Sequence, residues 1–273
     1  MRRLLIRPGA IGDFIVSLPA MEFLRTKYTE VWAATKNLPL ARFACRTRSI
    51  LDTGLERLGL PGVEAPPKLI EELASFDSII SWYGTNRPEF RRATEELGLP
   101  FKFLEALPPD DCKLHAADFY LRQAGGSGQA VPHLPCPPSS RDFIAIHPFS
   151  GSPRKNWPLE NYIQLTEHLK KLAPVRWILE PGAAAPRGVE VEPPTEDLYE
   201  LACRLARAKL YIGNDSGITH LAAAAGAPVV ALFGPTDPRR WGPRGERVRI
   251  LSAGSLESIE TEQVIAAGKE LLL

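Results

Sequence analysis

Seven short apolar runs, Leu4–Ile6, Val31–Ala33, Ser78–Ser81, Phe143–His147, Trp177–Leu179, Leu210–Ile212 and Val229–Phe233, recur along the chain, mostly with helical patterns between them. A strand without polar alternation needs cover on both faces, and strands that alternate with helices join into parallel sheets clothed by those helices. The expected fold class is therefore α/β. The segment 131–140 carries four prolines in ten residues, and proline resists both helix interiors and central strands. It reads as a linker at 132–140, between a domain at 1–131 and a second at 141–273. The 273 residues suffice for two such domains. A helix at about Glu260–Leu272 is amphipathic, and it is expected to end the chain by packing back across the domain boundary.

Composition narrows the function. Lys and Arg number 33 against 32 Asp and Glu, a formal charge of +1, which argues against a dedicated nucleic-acid binder held by phosphate contacts. No apolar run reaches the roughly 18 to 20 residues of a membrane span, and the N-terminus begins a strand rather than an export signal. A cytoplasmic protein is expected. Cys45, Cys112, Cys136 and Cys203 form no CxxC or CxxH cluster, so neither a zinc site nor a disulfide framework is indicated. No Asp-x-Asp occurs, which removes the usual acidic clamp for a divalent metal on a sugar nucleotide.

Three segments carry candidate chemistry. The strand ending at Arg7 runs into the loop Pro8, Gly9, Ala10, Ile11, Gly12, with Asp13 at the head of a helix expected over Phe14–Lys27. A carboxylate at such a junction lies where α/β active sites form and suits a general base; the competing role is a helix N-cap. After the strand at Phe143–His147, the loop holds Ser150, Gly151, Ser152, Arg154 and Lys155 before a helix from Pro158 to about Leu172. Its hydroxyls and ammonium suit phosphate oxygens, or else a solvated surface. A helix is also expected to start at Thr195. In the third segment, Tyr211–Gly226, an apolar stretch passes through Asn214, Asp215, Ser216 and Gly217 into an alanine-rich helix. The free N–H groups and partial positive charge at its start suit a diphosphate. His220 lies inside that helix, where a structural role is as common as a catalytic one. The segment has neither dinucleotide nor P-loop glycine spacing.

Gly12-Asp13 with Pro19, Lys155-Asn156-Trp157-Pro158, and Gly213 through Ala222 followed by Pro228 through Thr236 together resemble glycosyltransferase family 9, the ADP-heptose:lipopolysaccharide heptosyltransferases. That resemblance implies a GT-B fold of two Rossmann-like domains with parallel sheets facing a central cleft. It also implies an inverting transfer without an essential metal or other cofactor, from an ADP-sugar donor to a lipid-anchored oligosaccharide acceptor. By the same resemblance Asp13 is the base, with Gly9, Ala10 and Gly12 forming the acceptor-side loop. Lys155, Asp215, Ser216, Gly217 and His220 hold the donor by that resemblance, alongside Ser150, Gly151 and Ser152 of the loop read above; Glu180, on the adenosine side, binds a ribose or faces water. The chain departs from the family in Pro8-Gly9-Ala10, where members often carry a Ser or Thr. Two alternatives stand beside this reading: a GT-B enzyme with another nucleotide sugar or acceptor, and a nucleotide-binding module that has lost transfer. An acceptor in the inner membrane implies peripheral contact, for which Arg25, Lys27, Arg42, Arg46 and Arg48 could supply a basic face.

Overall fold

The run Leu4–Ile6 lies inside β1 (Arg2–Arg7), the middle strand of a five-stranded sheet whose pairings are all parallel. The structure, a computed structural model, describes residues 1–180 and 182–273, and the chain divides into two units. Unit 1 takes in residues 1–112 and 116–130; unit 2 takes in 113–115 and 131–273. Residues 131–140 have no regular secondary structure, and the Leu134 N–H donates to the Ala224 carbonyl of unit 2 at 2.8 Å.

In unit 1, β1 is followed by α1 (Ile11–Phe23), β2 (Tyr28–Ala33), β3 (Arg46–Ser49), α2 (Pro67–Ala74), β4 (Ser78–Ser81), α3 (Pro88–Glu96), β5 (Phe101–Phe103) and α4 (Ala116–Gln123). The sheet order is β3-β2-β1-β4-β5. The chain thus winds outward from β1 to one edge, then returns to start again on the other side. Leu4, Ile6, Trp32 and Ile79 pack with Leu69 and Leu73 of α2 and Phe90 of α3, while α1 packs against α4. Helix α1 starts three residues before the expected Phe14 and stops at Phe23 rather than Lys27. The stop has a local cause: the Thr26 N–H donates to Thr29 Oγ1, which in turn donates to the Thr26 carbonyl, and this turn competes with the helix.

Unit 2 repeats the scheme with β6 (Phe143–His147), α5 (Leu159–Leu169), β7 (Val175–Trp177), β8 (Glu190–Val191), α6 (Leu198–Leu205), β9 (Ala208–Asn214), α7 (Gly217–Ala224), β10 (Val229–Phe233), α8 (Pro238–Trp241), β11 (Val248–Ser252) and α9 (Thr261–Leu272). Its parallel sheet runs β11-β10-β9-β6-β7-β8. Strand β7 lies two residues earlier than the expected Trp177–Leu179, although the Ile178 N–H still donates to Ile146. Pro158 is the N-cap of α5 rather than its first helical residue, and α5 ends at Leu169. Likewise α6 starts at Leu198, because the Asp197 carboxylate accepts from the Tyr199 and Glu200 N–H groups as a cap. The last helix packs on its own unit. Its buried residues Val264, Ala267, Gly268 and Leu271 fall at helical spacing and meet α5, β9 and β10.

Two further features emerge on folding. Of the five basic residues, Arg48 is paired with Glu72 at 2.7 Å and stacks on Trp32, and Arg46 lies 3.8 Å from Glu30. Cys136 and Cys203, distant in sequence, come together as free thiols; burial and the hydrogen bond with Cys203 push the Cys136 thiol up to about 12.

The covering of β9 by α9 makes unit 2 sensitive to one side chain. Leu210 is fully buried beneath Gly268, where a Cβ built on that glycine would lie 2.9 Å from Leu210 Cδ2. Leu210→Ala leaves a cavity that a helix already in close contact cannot fill, and should cost about 2–5 kcal/mol in urea unfolding. Leu172→Ala, at a half-exposed position, should cost less than about 0.5 kcal/mol.

Candidate functional site

Strand order reverses at β1 and β4 in unit 1, and at β6 and β9 in unit 2. Loops leaving neighbouring strands in opposite directions open a crevice at the carboxyl edge of such a sheet, and ligands bind there. The three segments singled out in the sequence leave the sheets at these points. The Asp13 loop follows β1; the Lys155 loop and the Asp215 turn follow β6 and β9.

In unit 1, Gly12 and Asp13 both lie in the first turn of α1, and Ala10 is the N-cap. The Ala10 N–H donates to Asp13 Oδ2 at 3.3 Å. This is half of a capping box, since an alanine side chain has no acceptor to return the bond. The cap uses one carboxylate oxygen through a long contact, and the other has no protein partner among the described residues. Both roles foreseen for Asp13 are thus open to it at once. Gly9 takes φ +121°, and a Cβ there would press on Asp13 Cβ at 3.2 Å. Glycine is needed for both reasons. Its carbonyl accepts from Asn37 Nδ2 at 3.1 Å.

In unit 2, Lys155 Nζ and Asp215 Oδ2 form an ion pair at 2.7 Å, with the carboxylate nearly buried and the ammonium about one-third exposed. Two residues assigned separate tasks by the sequence therefore hold each other. Ser150 Oγ faces its own loop, 2.8 Å from both the Ser152 carbonyl and Asn156 Oδ1, and Ser152 donates its N–H back to Ser150. Gly151 is exposed at the loop tip with open space around it. Ser216 is the N-cap of α7, its Oγ accepting from the Thr219 N–H at 3.3 Å, and Gly217 opens the helix. Glu180 is exposed beyond β7 and makes no side-chain hydrogen bond to these residues. Pro181 of its loop lies outside the described residues. Among the described residues no group of three or more His, Cys, Asp or Glu side chains could hold a metal ion, and no helix is long and apolar enough to cross a membrane.

The residue that joins the two loops is Asn214, quoted in the motif but given no task there. It is fully buried. Its Oδ1 accepts from the Trp157 N–H at 3.0 Å and the Tyr162 hydroxyl at 2.8 Å, while its Nδ2 donates to the Pro148 carbonyl at 2.8 Å. These bonds fix both ends of the loop carrying Lys155 against the end of β9, next to Asp215. Three hydrogen bonds from one buried amide are strong in a low-dielectric interior and costly to lose singly.

His220 is buried in α7, and desolvation drives its pKa down to about 4; Asp215 opposes the shift, while His115 and Lys155 add to it. The ring is neutral at ordinary pH. It brings hydrogen-bonding capacity to the turn rather than charge. His147, at the end of β6, is also lowered by burial, and its Nδ1 lies 2.8 Å from the Ile178 carbonyl, to which it donates.

The His220 shift sets a pH dependence. Its folded value of about 4 lies below the ordinary 6.5, so the unfolded chain binds the extra proton as pH falls from about 6.5 to about 4. Stability conferred by the neutral ring is complete above that window and lost through it, by about 3 kcal/mol at 1.36 kcal/mol per unit. In His220→Gln, urea unfolding across pH 4 to 7 should show a slope shallower than the parent's by that amount; identical slopes would remove His220 as the cause.

A family model described as Glycosyltransferase family 9 (heptosyltransferase) matches residues 111–269, which hold every donor-side residue above. Lipopolysaccharide heptosyltransferase 3 of Escherichia coli K12 is 28% identical over 144 residues, 48% of this chain and 42% of that protein. The match thus spans less than half the length of that curated relative. Among solved structures, E. coli ADP-heptose lps heptosyltransferase II superposes with TM-score 0.75 at 19% identity, covering 100% of this chain and 98% of the other. The iron-containing dodecameric glycosyltransferase TibC of enterotoxigenic E. coli gives TM-score 0.66 at 17% identity, covering 98% and 75%. Two parallel, doubly wound units are the Rossmann-like pair of the GT-B fold. With the family model covering more than half of its length, the chain belongs to glycosyltransferase family 9.

Proposed function

We propose that the protein transfers a heptose from ADP-heptose to an inner-core acceptor of lipopolysaccharide, by a single inverting displacement that needs no metal ion. The observation that carries the reading is the Asp13 carboxylate, which keeps an oxygen without a protein partner at the strand-order reversal of unit 1. In unit 2, a cation and a helix start stand at the equivalent point. The named heptosyltransferases among its relatives support the donor and acceptor class.

On this reading the acceptor hydroxyl gives its proton to Asp13 as its oxygen bonds to the anomeric carbon. The bond from that carbon to the phosphate oxygen breaks, and its electron pair leaves with ADP. A base needs only hydrogen-bond reach to the hydroxyl. The charge growing on the diphosphate meets Lys155 and the first N–H groups of α7, which are oriented before the reaction and need not reorganise during it. Asp215 holds the Lys155 ammonium in place until the diphosphate competes for it. His220 stays neutral beside them and adds no second positive charge. The inner-membrane acceptor implies peripheral contact of the enzyme with that surface.

ADP release with a heptose-accepting core fragment should fall by at least about 10³-fold in Asp13→Ala, with ADP binding unchanged. Turnover within a few-fold of the parent would remove Asp13 as the base. Among ADP, UDP and GDP, the first should bind tightest in calorimetry, and a preference for UDP would overturn the heptose donor. Activity should persist in excess EDTA. Asn214→Leu should weaken ADP binding about tenfold or more by releasing the Lys155 loop, an effect of the size expected for a lost buried hydrogen-bond set.

A further inference from the structure

Arg7, the last residue of β1, is buried with only 2% of its surface exposed, and among the described residues it forms no ion pair. Its guanidinium instead spends its N–H groups on neutral acceptors. Nε donates to Ser17 Oγ at 3.1 Å, Nη1 to the Ala106 carbonyl at 3.2 Å and Nη2 to the Asp13 carbonyl at 3.1 Å. The plane of charge lies 4.7 Å from the Tyr120 ring centroid and 5.8 Å from that of Trp82. Burying a cation without a counter-charge is expensive, and the strand neighbours Leu5 and Ile6 show what packing alone selects at this depth. Such departures from the packing rule mark functional positions.

The geometry points to Arg7 as the positioning residue for Asp13, a role that rests on the proposed base. Asp13 and Ser17 are four residues apart, so their acceptors lie on one face of α1, one turn after the other. A fork fixed to both sets the rotation of α1 about its axis and its height above β1. Those two quantities decide where the Asp13 carboxylate points. The other contacts brace the fork: Ser17 Oγ donates on to the Phe14 carbonyl, and the Ala106 carbonyl accepts from Tyr120 as well as from Arg7. Asn37 holds the Gly9 carbonyl from the other side of the same loop. Lysine cannot reproduce this, since a single ammonium lacks the rigid planar fork.

The test is steady-state and binding analysis of Arg7→Lys and Arg7→Met. Both should lower kcat at least about tenfold, because a small misplacement of a reacting group costs that much or more. The KM and Kd for the nucleotide donor, held by unit 2, should stay within about twofold. Arg7→Lys keeps the charge and is the variant expected to fold if Arg7→Met does not. A purely structural Arg7 would lower the unfolding midpoint while leaving kcat at temperatures well below it unchanged, and that outcome overturns the inference. So would a donor KM that rises in step with a falling kcat. Asp13→Asn separates this result from the proposed function: normal turnover in that variant sinks the base itself, whereas an inactive Asp13→Asn beside fully active Arg7 variants sinks only the role of Arg7.

Discussion

Every residue of the proposed site owes its place to where strand order reverses in two parallel sheets. A parallel sheet must be wound through crossovers, and the first strand of each unit becomes a central strand with windings leaving to either side. The loops diverge between that strand and the neighbour at which the order reverses, β4 in unit 1 and β9 in unit 2. The residues after β1, β6 and β9 therefore have room to meet a ligand. The carboxylate of Asp13 and the pair of Lys155 and Asp215 occupy these positions because the topology leaves them open.

Each unit then pins its functional group from below with a buried polar side chain. Asn214 ties the Lys155 loop to β9, and Arg7 ties the first turn of α1 to β1. The two solutions differ in kind. An amide is neutral and its bonds to Trp157, Tyr162 and Pro148 are satisfied within the core, so its burial is stabilising once every bond is made. A guanidinium carries its charge into the interior, where facing aromatic rings and carbonyl dipoles offset only part of the desolvation. On the proposed reading, the neutral amide lies beside a pair that already holds a cation, Lys155, and the guanidinium lies beside the proposed base.

The central strands were legible because burial on both faces leaves unbroken apolar runs, and Ser78–Ser81, Phe143–His147 and Val229–Phe233 coincide with strands in the structure. The outer strands were not. Arg46–Ser49, Phe101–Phe103 and Val248–Ser252 are partly exposed and carry arginine or lysine, so their sequence resembles a loop. The same limit applies to the site. Asp13, Lys155 and Asp215 belong to motifs whose spacing along the chain is informative. Asn214 and Arg7 act through partners that only folding assembles, such as Pro148 for the first and Ala106 for the second. An arginine ending a strand reads as an exposed charge until its acceptors are known, and the pairing of Lys155 with Asp215 joins residues that lie on different strand ends.

That pairing bears on how a donor would be recognised. With the ammonium 2.7 Å from a nearly buried carboxylate, the turn presents a dipole rather than a bare positive charge, and a single weak anion gains little by displacing it. A diphosphate differs, because its two groups can engage Lys155 and the start of α7 together, and the first turn of α7 holds no acid. On the proposed reading, the ion pair itself favours a diphosphate over simple anions. The carboxylate released from Lys155 can, on the same proposed reading, accept from a hydroxyl of the donor sugar. On this account Asp215 has two successive partners, the lysine in the empty site and the sugar in the filled one. Its near burial keeps both contacts strong, because little water remains to screen either.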